Sequence, residues 1–123
     1  MAIFDKGDKM AKETSTTIIS QGANLQGNFD LSAKLHIEGK MEGKINSSNQ
    51  ISVGKSGVLK GEVVCEKFIL NGNFEGKIEC NVLEITNGGV LKGDIVIKDL
   101  IIEKGGIFEG TSTLKKKDAS KNS

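Results

Sequence analysis

The side chains of this sequence that could perform chemistry are few, namely one histidine, His36, and two cysteines, Cys65 and Cys80. Two thiols can begin a metal site, and an imidazole can act as a general base. A structural zinc site needs about four sulfur or nitrogen ligands, and the chain has no second histidine to help complete one. His36 stands between Leu35 and Ile37 at a position predicted to face outward, without a nucleophile beside it in the pattern. The sequence therefore predicts no catalytic, cofactor-binding or metal-binding residue.

Glycine motifs are the other candidate for chemistry, because a glycine-rich loop before a helix can hold a phosphate group. Here an apolar-x-Gly-x-apolar unit recurs, and no helix is predicted to follow it. The central glycines are Gly27, Gly43, Gly61, Gly76, Gly93 and Gly110, separated by 16, 18, 15, 17 and 17 residues. Self-similarity at a nearly constant period indicates a repeat architecture rather than a ligand loop.

Alignment of the repeats on these glycines gives columns of apolar residues spaced two positions apart. The column two residues before the glycine contains Leu25, Met41, Leu59, Phe74, Leu91 and Phe108. The column two residues after it contains Phe29, Ile45, Val63, Ile78, Ile95 and Ser112. A period of two with one apolar face is typical of half-buried strands. We therefore predict an all-β, single-stranded β-helix (a β-solenoid) of about six coils with three short strands each, in which Cys65 and Cys80 are small core residues.

The length variation between repeats supports this phasing. The gap from the preceding apolar column to the one before the glycine is either six or four residues, as in Ile19 to Leu25 and Ile37 to Met41. A change of two residues keeps the same face inward, whereas a change of one would invert it. The longer versions contain Gly22, Ser56–Gly57, Gly88–Gly89 and Gly105–Gly106, where a corner could need positive φ.

Charged residues flank the central glycine and alternate in sign from repeat to repeat. Immediately before it stand Gln26, Glu42, Lys60, Glu75, Lys92 and Glu109, and immediately after it stand Asn28, Lys44, Glu62, Lys77, Asp94 and Thr111. In stacked parallel coils, these residues would lie about 4.8 Å apart, so opposite charges would become neighbours. The pattern predicts that successive repeats lie directly on one another.

Composition excludes several functional classes. The net charge of +1 gives no concentrated positive surface for nucleic acid. No apolar run approaches the roughly 20 residues of a membrane-spanning helix. The first residues also lack the apolar core of a secretory signal, so we expect a cytosolic protein with reduced cysteines.

The two ends of the chain lack the strand pattern. Residues 1–14 are expected to form a flexible tail in which Met1, Ile3 and Phe4 stand beside lysines. These apolar residues are either incidental in a solvated terminus or a short membrane contact made effective by many copies on one polymer. Residues 115–123 are expected to form a flexible basic tail, which leaves residues 15–114 for the β-helix.

Solenoids normally close their ends with a polar cap, and the tails lack the apolar periodicity of one. Strand edges without a cap are templates for another chain. We therefore predict that copies join end to end, through Ile19 and Leu25 at one end and Phe108 and Leu114 at the other.

The opening Thr17-Ile18-Ile19 followed by Gly22, the repeated apolar-x-Gly-x-apolar units and the absence of proline resemble the bactofilins over about residues 15–114. The resemblance implies a right-handed β-helix of six windings that polymerises without nucleotide into filaments without polarity. It also implies a bacterial cytoskeletal scaffold at the inner face of the cytoplasmic membrane, shaping the cell by localising peptidoglycan-modifying enzymes or membrane scaffold proteins. Met1-Ala2-Ile3-Phe4 is similar to the membrane-contact motif of that family. Thr111 and Ser112 depart from the repeat, so the contact at that end is less well defined.

Two alternatives from other classes remain. A hexapeptide-repeat enzyme such as an acyltransferase is also a β-solenoid, but the apolar positions here do not recur every six residues. A scaffold module that binds a partner on one face without polymerising fits the same strand pattern.

Overall fold

The computed structural model describes residues 16–115, and every regular element in this range is a β-strand. The strands are Thr16–Ile19 (β1), Asn24–Leu31 (β2), Lys34–Ile37 (β3), Lys40–Ser47 (β4), Gln50–Val53 (β5), Val58–Val64 (β6), Lys67–Leu70 (β7), Asn73–Glu79 (β8), Val82–Ile85 (β9), Val90–Ile97 (β10), Asp99–Ile102 (β11) and Ile107–Leu114 (β12). Strands of four residues alternate with strands of seven or eight. One short strand and one long strand make one coil, so the described chain forms six coils.

The strands belong to two parallel sheets. The short strands form one sheet in the order β1-β3-β5-β7-β9-β11, and the long strands form the other in the order β12-β10-β8-β6-β4-β2. Each strand therefore pairs with the equivalent strand of the next coil, which confirms the predicted β-solenoid. The second and third strands expected in each coil are joined into one long strand, which carries the central glycine near its middle.

The core lies between the two sheets and consists of the predicted apolar columns. Half-buried and buried residues alternate along the short strands β5 and β7, where Ile51, Val53, Phe68 and Leu70 are buried. Burial of such a side chain contributes about 1.5–3 kcal/mol. The ring of Phe68 also meets that of Phe74 edge to face, with centroids 5.7 Å apart. The central coils thus supply most of the apolar burial that stabilises the stack.

The difference between long and short repeats is a hydrogen-bonded turn. In the third coil, the Gly57 N–H donates to the Gly54 carbonyl oxygen at 2.8 Å, and the first, fifth and sixth coils contain the same type of turn. Positive φ occurs at Gly22, Gly88 and Gly105, as the sequence suggested, but not at Gly57. A side chain at Gly57 would instead collide with the Ile37 carbonyl oxygen.

The central glycines form a column in which no side chain fits. Their φ angles lie between +124° and +142°, a region that L residues rarely adopt. At Gly43, Gly61, Gly76, Gly93 and Gly110, a Cβ atom would overlap the carbonyl oxygen of the glycine in the preceding coil. Backbone therefore packs directly on backbone at this position, which explains why glycine recurs there.

Gly27 provides a matched control, because it has the same conformation but no preceding coil among the described residues. A Cβ atom there would lie 3.9 Å from the Phe29 ring, an ordinary contact. We expect Gly27→Ala to lower the free energy of unfolding by about 1–3 kcal/mol through backbone strain alone. Gly76→Ala adds a collision with the backbone of the preceding coil. It should therefore lower the free energy of unfolding by several kcal/mol more, or prevent folding. Urea unfolding below the concentration of assembly measures both, and equal losses would contradict the packing argument.

Candidate functional site at the two open ends

The edges of both sheets lie at the two ends of the solenoid. Strands β1 and β2 each have a partner on one side only, and the same is true of β11 and β12. Each end of the described chain therefore has a row of backbone N–H and C=O groups available to another strand. An apolar core that is open at the same place adds a hydrophobic contribution to such pairing.

The N-terminal end contains Ile19 and Leu25, which the sequence assigned to the polymer interface. Ile19 is 9% exposed, and Leu25 is half-buried against the core. The structure adds Phe29 and Leu31, which lie in the same open coil and are also half-buried. Both belong to apolar columns, so the alignment of repeats contained the signal for them.

The C-terminal end contains Phe108 and Leu114, the other two predicted interface residues. Phe108 is half-buried, whereas Leu114 is 65% exposed because no coil covers it in the described range. The structure adds three exposed residues, Ile101, Ile102 and Ile107. Ile102 occupies the same core column as Ile19, while Ile101 and Ile107 are apolar at outward positions. Because these outward columns also contain apolar residues in other coils, they carried only a partial sequence signal for the last two.

The structure places the predicted charge ladders in register. Lys60 is the Cα partner of Glu42 on one side and Glu75 on the other, and Glu62 lies between Lys44 and Lys77. Within residues 16–115, however, the one basic side chain closer than 4 Å to a carboxylate is His36, beside Glu38. The ladders are therefore exposed charges in alternating register rather than closed ion pairs, and they contribute little individually. At the last step, the Thr111 hydroxyl donates to the Asp94 carboxylate.

His36 has partners that the sequence analysis missed. Its Nδ1 lies 2.8 Å from the Ser52 Oγ, and its Nε2 lies 2.7 Å from a carboxylate oxygen of Glu38. The Ser56 hydroxyl donates to the other Glu38 oxygen at 2.9 Å and to the Glu38 carbonyl oxygen. The expectation that no nucleophile lies beside His36 is thus wrong. The register alone would have shown it, since His36 and Ser52 are Cα partners on adjacent strands.

This Ser52–His36–Glu38 chain has the order of a nucleophile, a base and an orienting carboxylate. Acyl transfer also requires N–H groups aimed at the developing oxyanion. The strands β3 and β5 that carry His36 and Ser52 use their backbone in parallel pairing on both sides. The side chains of His36 and Glu38 are also 35% and 38% exposed to solvent. We interpret the network as a connection between the second and third coils.

The hydrogen bonds of this network affect Glu38. The His36 hydrogen bond, followed by the one from Ser56, lowers the pKa of the Glu38 carboxyl from its ordinary value of 4.5. The carboxylate can only accept, so His36 Nε2 carries the proton between them. The network therefore favours a Glu38 that is ionised at neutral pH.

Cys65 and Cys80 occupy equivalent positions in the third and fourth coils and are both buried as free thiols. Each thiol lies near the carbonyl oxygen two residues further on, at Lys67 and Val82. Hydrogen bonding with Cys80, together with burial, raises the pKa of Cys65 strongly. Between residues 16 and 115, no cluster of three or more histidine, cysteine or acidic side chains could hold a metal ion. The two cysteines lie in the core column, where the sequence placed them.

The predicted membrane contact, Met1, Ile3 and Phe4, lies outside the described residues, as does the basic segment 116–123. The backbone N–H of Lys115 donates to the Ile97 carbonyl oxygen, so strand-like stacking extends to this residue. The part of the chain that the structure describes contains no helix of a length and hydropathy that could span a bilayer.

Stacked parallel coils, the glycine column and the open apolar ends define a β-solenoid. The family model of bactofilin, described as polymer-forming cytoskeletal, matches residues 17–113. The chain thus belongs to the bactofilin family, a family of cytoskeletal rather than enzymatic proteins. Searches of curated proteins and of solved structures gave no significant match.

The lowered pKa of Glu38 predicts a pH dependence. A carboxyl with a lower pKa in the folded state contributes stability that is present above 4.5 and is lost as the pH falls through the folded value. Glu38→Gln should therefore reduce the loss of stability between about pH 5 and pH 3, measured by urea unfolding. Glu84→Gln is the control, because Glu84 lies on the same sheet, in the outward column of His36, and not in the Glu38 network. A Glu38 resonance that titrates at 4.5 or above by NMR would contradict the assignment.

Proposed function

We propose that this bactofilin is a bacterial cytoskeletal scaffold that joins end to end, without nucleotide, into filaments without polarity. The observation that supports this proposal is the coincidence of unpaired strand edges with incompletely covered core residues at both ends, most clearly at Leu114 and Ile102 of the C-terminal end. Burial of apolar area and pairing of edge strands both favour association. Neither contribution depends on a bound nucleotide, so hydrolysis is not needed to drive assembly.

The proposal includes a location at the inner face of the cytoplasmic membrane. The support for this part is the sequence Met1-Ala2-Ile3-Phe4, with Lys6, Lys9 and Lys12 nearby. A few apolar side chains bind a bilayer weakly, and lysines are attracted to anionic headgroups. Many copies along one filament would convert this weak contact into stable attachment.

The lateral surface of the filament provides the remaining part of the proposal. Its exposed charges alternate in sign and are repeated along the axis, as at Glu42, Lys60, Glu75 and Lys92. We propose that this surface recruits cell-wall remodelling or membrane scaffold proteins and so helps to determine cell shape. In this function, the protein acts without catalysis, cofactor or metal, and it does not bind nucleic acid.

Replacement of Phe108 by arginine tests the role of the ends. The substitution places a charge in the core of the terminal coil, which costs several kcal/mol when another copy covers it. We expect Phe108→Arg to abolish long filaments in negative-stain electron microscopy. Val64→Arg is the matched control, because Val64 is 45% exposed on a lateral strand away from the ends. This control should form filaments like the unmodified protein.

Several results would contradict the proposal. Long filaments of the Phe108→Arg variant would remove the C-terminal end from the interface. If the unmodified protein sedimented as a discrete trimer, the result would favour the hexapeptide-repeat enzyme instead. A protein that remains monomeric at all concentrations would favour the scaffold module that does not polymerise.

The membrane contact is tested by replacing both Ile3 and Phe4 with lysine. Burial of each apolar side chain contributes about 1.5–3 kcal/mol, so their loss should lower vesicle binding by about tenfold or more despite the added charge. The measurement is co-sedimentation of preformed filaments with vesicles of phosphatidylglycerol. Filament formation itself should be unchanged and serves as the internal control. Equal binding of both proteins would show that the attachment lies elsewhere.

A further inference from the structure

We propose that the two ends differ in strength, and that two copies first join through their C-terminal ends into a dimer that then polymerises. This inference rests on the proposed function, namely filaments without polarity. In such a filament, every end meets the like end of a neighbour, so C-terminal and N-terminal junctions alternate. The two kinds of junction consist of different residues and therefore have independent dissociation constants.

The C-terminal end is rich in exposed apolar side chains. Ile101 and Ile107 are each 48% exposed, Ile102 is 43% exposed and Leu114 is 65% exposed. All four lie on β11 or β12, the two edge strands of this end. They share the terminal coil with half-buried Leu100 and Phe108. A second copy of this end would cover the core positions and would partly cover the outward Ile101 and Ile107.

The N-terminal end has less exposed apolar surface. Among the residues described there, Ile18 is the one large apolar side chain in the exposed class, at 60%. Ile19, the equivalent of Ile102, is only 9% exposed. The remaining apolar residues of this coil, Ala23, Leu25, Phe29 and Leu31, are half-buried against the core. A partner at this end would therefore remove less apolar area from water.

The first and last coils can be compared position by position, because the register aligns them. Two positions are apolar at the C-terminal end and polar at the N-terminal end, and one position shows the reverse. The first two are Leu100 against Thr17 and Ile107 against Asn24, and the third is Ser112 against Phe29. Phe29 is half-buried in its own coil, so this reverse position reduces the difference without removing it.

Electrostatic repulsion between two C-terminal ends does not offset their larger apolar surface. The last coil contains charges of both signs: Asp99, Glu103 and Glu109 are acidic, and Lys104 and Lys115 are basic. The hydrophobic contribution scales with the apolar area removed from water, so the C-terminal junction is the tighter one. Between the two dissociation constants lies a concentration range in which dimers, and not filaments, are the main species.

Asn24 and Ile107 are a matched pair of positions for the test. They occupy the same column in the first and last coils, and both side chains are exposed, so lysine at either position leaves the fold intact. The full-length Asn24→Lys and Ile107→Lys proteins are measured by sedimentation velocity over a concentration series. We expect Asn24→Lys to form stable dimers through its unmodified C-terminal end. Ile107→Lys should remain monomeric until the concentration is at least about tenfold higher.

Other outcomes would overturn the inference. Equal dimerisation constants for the two variants, or the reverse order, would show that the C-terminal junction is not the stronger one. Two monomeric variants that form a dimer only when mixed would indicate a single head-to-tail junction, and hence a polar filament. Absence of polymer from the unmodified protein would instead contradict the proposed function. A second pair of variants repeats this comparison of dimerisation at core positions, with Leu25→Lys at the N-terminal end and Leu114→Lys at the C-terminal end.

Discussion

The structure depends on one constraint, namely that each coil must lie directly on the preceding one with equivalent residues in contact. The glycine column shows this constraint most directly. At Gly61 and Gly76, the backbone of one coil approaches the backbone of the next so closely that even a methyl group would not fit. Positive φ at these positions prevents most other residues from substituting. The length of each repeat can vary only by steps that restore this contact, and the inserted turns do so.

Strict stacking also determines where the protein can interact. In the interior of the stack, each strand has a partner on both sides, so β3 to β10 have no free edges. Unpaired backbone groups and uncovered core residues are therefore confined to β1, β2, β11 and β12. The same regularity that stabilises the coils thus leaves the two ends open, and these are the proposed sites of association.

Much of this arrangement was predictable from the sequence, because a repeat converts local patterns into register. The apolar columns, the coil number and the neighbours of Lys60 and Glu62 all follow from alignment on the glycines. The continuous long strand was not predicted, because periodicity cannot show whether a strand passes through a glycine or stops there. The Ser52–His36–Glu38 contact was missed because the outward column of His36 and Ser52 has no repeated charge or apolar pattern to draw attention to it, although the register pairs the two residues. The uneven exposure of the ends depends on packing, and the sequence carried only a partial signal for it at Ile101 and Ile107.

The distribution of charge favours the proposed association at the ends over uncontrolled aggregation. Open strand edges normally carry a risk of uncontrolled pairing, which many proteins avoid by closing or covering them. Here the edges are retained, but exposed residues of both signs, such as Lys44, Glu62, Lys77 and Asp94, line the outer face of the long-strand sheet. Lateral contact would remove these charges from water without fixed partners, which is unfavourable. Growth along the axis is the direction in which burial of apolar area is not opposed by this cost, so a linear polymer is the expected product.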